Sequence, residues 1–188
     1  MLYRSSLPST TLSWIATLAL LFTLTGCDST DANEEPDIGE GSFTVSGDVE
    51  RDASGNALFS TFESDTANTL TIDITDNQNF SLTFQRFYDS DTDPLSAFSE
   101  GTYELVEPTV AGSPFNDLSM YGEYEEFDEG ELFGVTYTSK EDLPGTLEVT
   151  SVSENEIRGT FSFQAVDFDN ENAGVSVSEG EFQATANP

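Results

Sequence analysis

Hydrophobic residues fall in two patterns along the chain. Residues 12–24 form a nearly continuous apolar run, diluted only by Ser13, Thr17 and Thr23. From Ser42 onward the period is two. Phe43, Val45 and Val49 share one phase, with Gly47 between them. Leu70, Ile72 and Ile74 alternate with Thr71, Asp73 and Thr75, and Phe80, Leu82 and Phe84 alternate with Ser81, Thr83 and Gln85. Successive side chains of a strand point to opposite faces, so this alternation predicts half-buried antiparallel strands. Leu58, Phe59 and Phe62 predict a less regular strand. No segment after the leader sustains the 3.6-residue period of a helix.

Residues 76–79 read Asp-Asn-Gln-Asn and predict a turn, because Asn and Asp tolerate the left-handed region and bond their own backbone. Residues 132–139, 145–152 and 156–166 predict three strands, the last two joined by a hairpin at 153–155, with Leu147, Val149, Ile157, Phe161, Phe163 and Ala165 inward. Val175 and Val177 open the final strand, whereas Phe182 and Ala184 take the opposite parity. A bulge near Gly180 restores the inward phase. Residues 89–130 hold Pro94, Pro108 and Pro114 and one clear strand at 102–106. They predict long loops, with Phe87 and Tyr88 leaving the inward phase and Tyr121, Tyr124 and Phe127 crowding an acidic loop at 123–131. A short pattern recurs as Gly101-Thr-Tyr, Gly145-Thr-Leu and Gly159-Thr-Phe, the same way of starting a strand used three times.

The apolar run of residues 12–24 is too short to span a bilayer as a helix, which needs about 20 residues. With Arg4 before it and small residues after it, it suits a secretory leader. It ends at Leu24-Thr25-Gly26-Cys27, which resembles the lipobox of bacterial lipoproteins. That resemblance implies a thioether from Cys27 Sγ to diacylglycerol, cleavage before Cys27 and acylation of the new amine. Two or more acyl chains anchor stably where one is marginal. Cys27 is the only cysteine, so no disulfide within the chain competes for it.

Charge changes the picture next. All 36 acidic residues lie after Cys27, and only Arg51, Arg86, Lys140 and Arg158 oppose them, giving the mature chain a formal charge of −32. Nucleic-acid binding by phosphate neutralisation needs clustered Lys and Arg and is excluded. The acids are spread from Asp28 to Glu181, which favours a solvated surface adapted to high salt, where ions screen self-repulsion. Residues 28–41 carry six acids, no base and one large aliphatic, Ile38, and read as a flexible tether with a reach of about 20 Å. Acids directly after the lipidated cysteine resemble a surface-export signal, whereas Asp28 at the second mature position resembles an inner-membrane retention signal; an outer-membrane or cell-surface address is the favoured expectation.

The order of Gly101-Thr-Tyr-Glu-Leu, Tyr137-Thr-Ser, Gly145-Thr-Leu-Glu-Val, Gly159-Thr-Phe-Ser-Phe-Gln-Ala and Val175-Ser-Val-Ser-Glu-Gly-Glu-Phe, together with the lipobox, resembles small Bacteroidota lipoproteins with an all-β domain of unknown function. The resemblance implies an all-β lipoprotein and supplies no catalytic residues.

Histidine is absent, which removes Ser-His-Asp and Cys-His catalysis and every Cys/His zinc site. Carboxylate pairs of the kind a glycosidase uses can be drawn almost anywhere among 36 acids, so no catalytic residue is assigned. Asp89, Asp91 and Asp93 occupy positions 1, 3 and 5 of a loop with Glu100 at position 12, the acidic spacing of a calcium loop. Pro94 stands where that loop needs glycine. A second alternation, Asp167, Asp169 and Glu171, lacks a twelfth ligand. Exposed aromatics among Phe87, Tyr88, Tyr121, Tyr124 and Phe127 are candidates to stack on a sugar ring or anchor a partner.

The sequence therefore predicts a leader at 1–26, a lipidated cysteine and acidic tether at 27–41, and one antiparallel β domain at 42–186. That domain is expected to hold eight to ten strands in a sandwich or partly open barrel. The expected role is a non-enzymatic, membrane-anchored binding or structural module with a protein or glycan partner. A lipocalin-like carrier and a carboxylate hydrolase are the alternatives, and calcium is the one candidate cofactor.

Overall fold

The computed structural model of the chain describes residues 38–76, 78–107, 120–127, 134–170 and 172–187. These form β1 (Glu40–Gly47), β2 (Arg51–Phe62), β3 (Asn68–Thr75), β4 (Phe80–Tyr88), α1 (Pro94–Ala97), β5 (Gly101–Glu104), β6 (Met120–Glu126), β7 (Val135–Ser139), β8 (Gly145–Val152), β9 (Glu156–Asp167) and β10 (Gly174–Ala186). Eight of the strands close into an antiparallel barrel in the order β1, β2, β3, β4, β6, β7, β9, β10 and back to β1. Of the two architectures the alternation allows, the chain adopts the barrel, and the barrel is closed.

The wall between β4 and β9 is filled in two storeys. At one level β6 pairs with β4 and β7 pairs with the end of β9. At the other, β8 pairs with the remainder of β9 and β5 pairs with β8. Ser139 joins the storeys: it accepts from the Gly122 N–H at 3.0 Å and donates to the Val106 carbonyl at 2.8 Å. The ends of β1, β3, β6 and β9 and the starts of β2, β4, β7 and β10 lie at one end, the hairpin end. The other, the helix end, carries α1, the β2–β3 and β8–β9 connections, the start of β1 and the end of β10. Where β1 has not yet begun, β10 pairs in parallel with β2, Thr185 opposite Leu58 and Ala186 opposite Phe59.

The barrel interior is packed with aromatic rings. Phe43 of β1 meets Phe80 of β4 at 5.2 Å, Tyr124 of β6 at 6.1 Å and Phe161 of β9 at 5.8 Å between centroids. Phe84 meets Phe161 at 4.9 Å and Phe163 at 5.9 Å. These contacts reach across the lumen, at the edge-to-face and tilted geometries that ring quadrupoles favour. Glycine makes the room. Gly180 stands opposite Phe161 and Gly159 opposite Phe182. A Cβ on Gly159 would lie 2.8 Å from the Phe182 ring, and one on Gly180 would collide with Phe161. The Gly-Thr-Phe pattern at 159–161 thus sits within β9 and not at its start, contrary to the expectation. The bulge expected near Gly180 is present: β10 shifts register between Val177 and Gly180, with Glu179 at φ 53°.

Several expectations for the middle of the chain are corrected. Met120–Glu126 is a full stave of the barrel, so Tyr124 lies in the core and Glu123 and Glu125 face outward from a strand. Tyr88 stays on the inward phase of β4 and is buried. Glu40 and Gly41 belong to β1 and not to the tether. The strand expected from 132 is Val135–Ser139; Leu132, Phe133 and residues 128–131 of the expected acidic loop lie outside the described residues.

Candidate functional site

The outer wall of β3, β4 and β6 gathers polar and aromatic side chains. Asp73, Thr83 and Glu123 form one row across the three strands. Asp73 accepts from Thr83 Oγ1 at 2.8 Å. Burial raises the Asp73 carboxyl above its usual range, and the Thr83 bond only partly reverses this. Burial, then the neighbouring charge of Glu125, raises Glu123 as well. Tyr121 follows on the same face. Burial and the charges of Glu123 and Asp73 push its phenol up to about 12, so at neutral pH it is a donor. It donates to Gln85 Oε1, while Gln85 Nε2 lies 3.4 Å from Thr71 Oγ1. Phe87 stacks on Tyr121 at 6.2 Å and 23°. Toward the hairpin end a groove of about 430 Å³ runs between Leu58, Ser60, Asp73, Thr75, Glu125 and Phe127.

This strip can stack against the apolar face of a ring and hydrogen-bond its rim through Gln85, Thr71 and Thr83. Its two carboxylates of raised pKa, Asp73 and Glu123, stand two strand spacings apart, about 10 Å along the sheet. They lie on an open wall, half-exposed, and not across a cleft.

The acidic residues with calcium-loop spacing are placed differently. Asp89 and Asp91 are exposed. Asp93 is the N-cap of α1: Oδ1 accepts from the Leu95 and Ser96 N–H groups at 3.1 and 3.4 Å and Oδ2 from Ser96 Oγ at 2.7 Å, with Pro94 in the first turn. These bonds, the Ser96 hydroxyl first, hold its carboxyl below the usual range. Glu100 lines a groove of about 690 Å³ that also takes in Asp93 and Glu154. Among the described residues no three carboxylates gather in a geometry that holds a metal. The loop is organised by Asn68, which sequence reasoning missed: its Nδ2 donates to the carbonyls of Ser90 and Thr92 at 3.1 and 2.9 Å, and its Oδ1 accepts from Ser64 N–H. In the second alternation Asp167 Oδ1 accepts from the backbone N–H of Asp169 and Asn170 as a turn cap. Glu171 and Cys27 lie outside the described residues.

Two inward arginines were also missed, because a cation in an alternating run reads as a surface residue. At the hairpin end Arg51, the first residue of β2, reaches across the lumen to Glu126 on β6, and Tyr124 O–H donates to the same carboxylate. Burial, then the Glu126 bond, drives the Tyr124 phenol up. At the helix end Arg86 of β4 lies over the ring of Tyr88 at 5.2 Å and that of Tyr103 at 4.7 Å. Phe98 stacks on the other side of Tyr103 at 4.9 Å.

No helix among the described residues is long and apolar enough to cross a membrane. No protein-family model matches the chain, and neither does any curated protein or solved structure.

Proposed function

We propose that the chain is a lipid-anchored envelope protein of the kind the lipobox resembles, held at the outer membrane or cell surface through Cys27, and that it works as a non-enzymatic binding or structural module. The packed lumen carries this reading. Phe43, Phe80, Phe84, Phe161 and Tyr124 touch one another across the barrel, so recognition falls to the outer surface. The strip of Thr71, Gln85, Phe87, Tyr121 and Glu123 is the best-equipped part of that surface for a glycan or protein partner. The closed barrel also fits a small-ligand carrier, but such a carrier needs a lumen into which its ligand enters, and ring-to-ring contact opposes that. The acidic surface is read as an adaptation to salt.

The test is metabolic labelling of the full chain with a palmitate analogue in a bacterial host that processes lipoproteins. The wild type is expected to take up label and to fractionate with the envelope, and Cys27→Ala to lose both. An unlabelled wild type overturns the anchor. Co-purification from the labelled envelope, compared between wild type and Tyr121→Ser, then reads the outer strip: a partner retained equally by both removes the strip from the proposal.

A further inference from the structure

The groove on the outer wall runs across the strands and not along them. Its lining passes from Asn187, whose N–H donates to the Phe59 carbonyl at 2.8 Å, over Leu58 and Ser60 of β2, Asp73 and Thr75 of β3 and Ser81 of β4 to Glu125 of β6. From the end of β10 to β6 that is four strand spacings, about 19 Å of wall. The depression exists because the floor is short. Thr75 and Ser81 stand directly opposite each other, and Ser81 is opposite Glu125. Leu58 and Phe127 flank this floor, both half-buried. At about 430 Å³ the trough falls within the size range of small-ligand sites, and all of its lining residues are among those described.

The chemistry of the lining narrows what it can take. A long, shallow trough suits an extended chain. An extended peptide binds a sheet by adding a strand at an edge, but β2, β3, β4 and β6 are each paired on both sides. A ligand here therefore meets side chains only. Those side chains are hydroxyls, which both donate and accept, and carboxylates, which only accept. Asp73 is held in place by the Thr83 hydroxyl at 2.8 Å. Burial raises its carboxyl above the usual range, so it is short of water and gains from an incoming hydroxyl donor. Arg51, Arg86, Lys140 and Arg158 are the only bases after Cys27, and none of them lines the trough. An anionic ligand would meet Asp73 and Glu125 with no cation to offset them.

Building on recognition by the outer wall, as read above, we propose that this trough binds a neutral, unbranched oligosaccharide lying across β2, β3, β4 and β6. The apolar face of a sugar ring rests on Phe127, as aromatic side chains allow. Its hydroxyls donate to Asp73 and Glu125 and exchange hydrogen bonds with Ser60 and Ser81. Charge-assisted bonds to the two carboxylates are the stronger ones and fix the orientation of the chain.

The test applies the full chain, in detergent, to an array of neutral, uronic-acid-bearing and sulfated oligosaccharides of increasing length. The wild type should retain neutral chains, more tightly as they lengthen to the span of the trough, and pass over the anionic ones. Two variants are compared, each checked for folding by its melting temperature. Ser81→Tyr fills the floor from an outward strand position where an aromatic residue is well tolerated. Phe127→Ala removes the ring at the rim. Each should weaken retention about tenfold or more. No binding of neutral chains, preference for the anionic ones, or equal retention by wild type and both variants overturns the proposal. An envelope protein captured by wild type and released by Ser81→Tyr would give the trough to a protein and overturn it too. If glycan binding fails while palmitate labelling and a Tyr121-dependent partner persist, the trough is lost and the lipid-anchored module stands.

Discussion

The two ends of the barrel each turn an arginine inward, and they treat it in opposite ways. At the hairpin end Arg51 meets Glu126, and Tyr124 donates to the same carboxylate, so the charge is balanced by side chains on two strands that face each other across the lumen. At the helix end Arg86 lies against the rings of Tyr88 and Tyr103 and makes no ion pair among the described residues; the Nε of each arginine is without a partner. Covalently the two groups are identical, and their neighbours give one a carboxylate partner and the other the faces of two rings. In the first case the guanidinium is half of a pair whose loss strands the other half. In the second, the partners among the described residues are the faces of two rings.

The sharpest way to break that contrast is to remove Glu126. Glu126→Leu should cost about 2–3 kcal/mol in urea unfolding, since stripping one partner from a buried pair leaves an uncompensated charge. The loss falls short of a fully buried pair's because the Arg51 and Glu126 side chains keep 27% and 16% exposure. The double variant Arg51→Met with Glu126→Leu should recover most of it. A double variant no more stable than Glu126→Leu would mean the pair is not what closes this end. Arg86→Met should cost less, about 1 kcal/mol, because only cation–π contact is lost and no carboxylate is orphaned. A loss as large as that of Glu126→Leu would show a hidden counter-charge and erase the distinction.

The smallest effect lies in the turns. Asp76 at the hairpin end gains a little proton affinity from burial, but bonds from the Asn79 side chain and the N–H groups of Asn79, Gln78 and Phe80 outweigh this and hold it at about 2, against an ordinary 3.8. A depressed carboxylate contributes stability above its unfolded pKa and loses it as pH falls through the folded one. The stability gap between wild type and Asp76→Ala should thus be constant above about pH 4 and close toward pH 2. A gap that persists unchanged at pH 2 would mean the turn does not need the charge.

The fold was legible wherever inward positions are large. Leu70, Ile72 and Ile74, and likewise Phe80, Leu82 and Phe84, announce β3 and β4 by size alone. β2 was half hidden because its inward residues are Arg51, Ala53, Gly55, Ala57 and Phe59, which keep the period but not the hydrophobicity. β6 was lost for the same reason: Gly122 fills an inward position because Leu105, Phe84 and Phe163 crowd it, and Tyr121 and two glutamates decorate the outside. The outer strip could not be seen either, since its row of Asp73, Thr83 and Glu123 exists only through strand register across 50 residues of chain. The acidic spacing at 89–100 illustrates the converse. A ligand-like rhythm was visible, but Asp93 caps a helix and the carbonyls of Ser90 and Thr92 turn toward Asn68.

One further consequence follows from where the wall begins. Every stave is built from residues at or after Glu40, and β1 is clasped on both flanks, by β10 and by β2. Severing the chain ahead of Ile38 would subtract nothing from the wall. A fragment that starts there would keep both grooves and both inward arginines, and its fold would owe nothing to the residues removed.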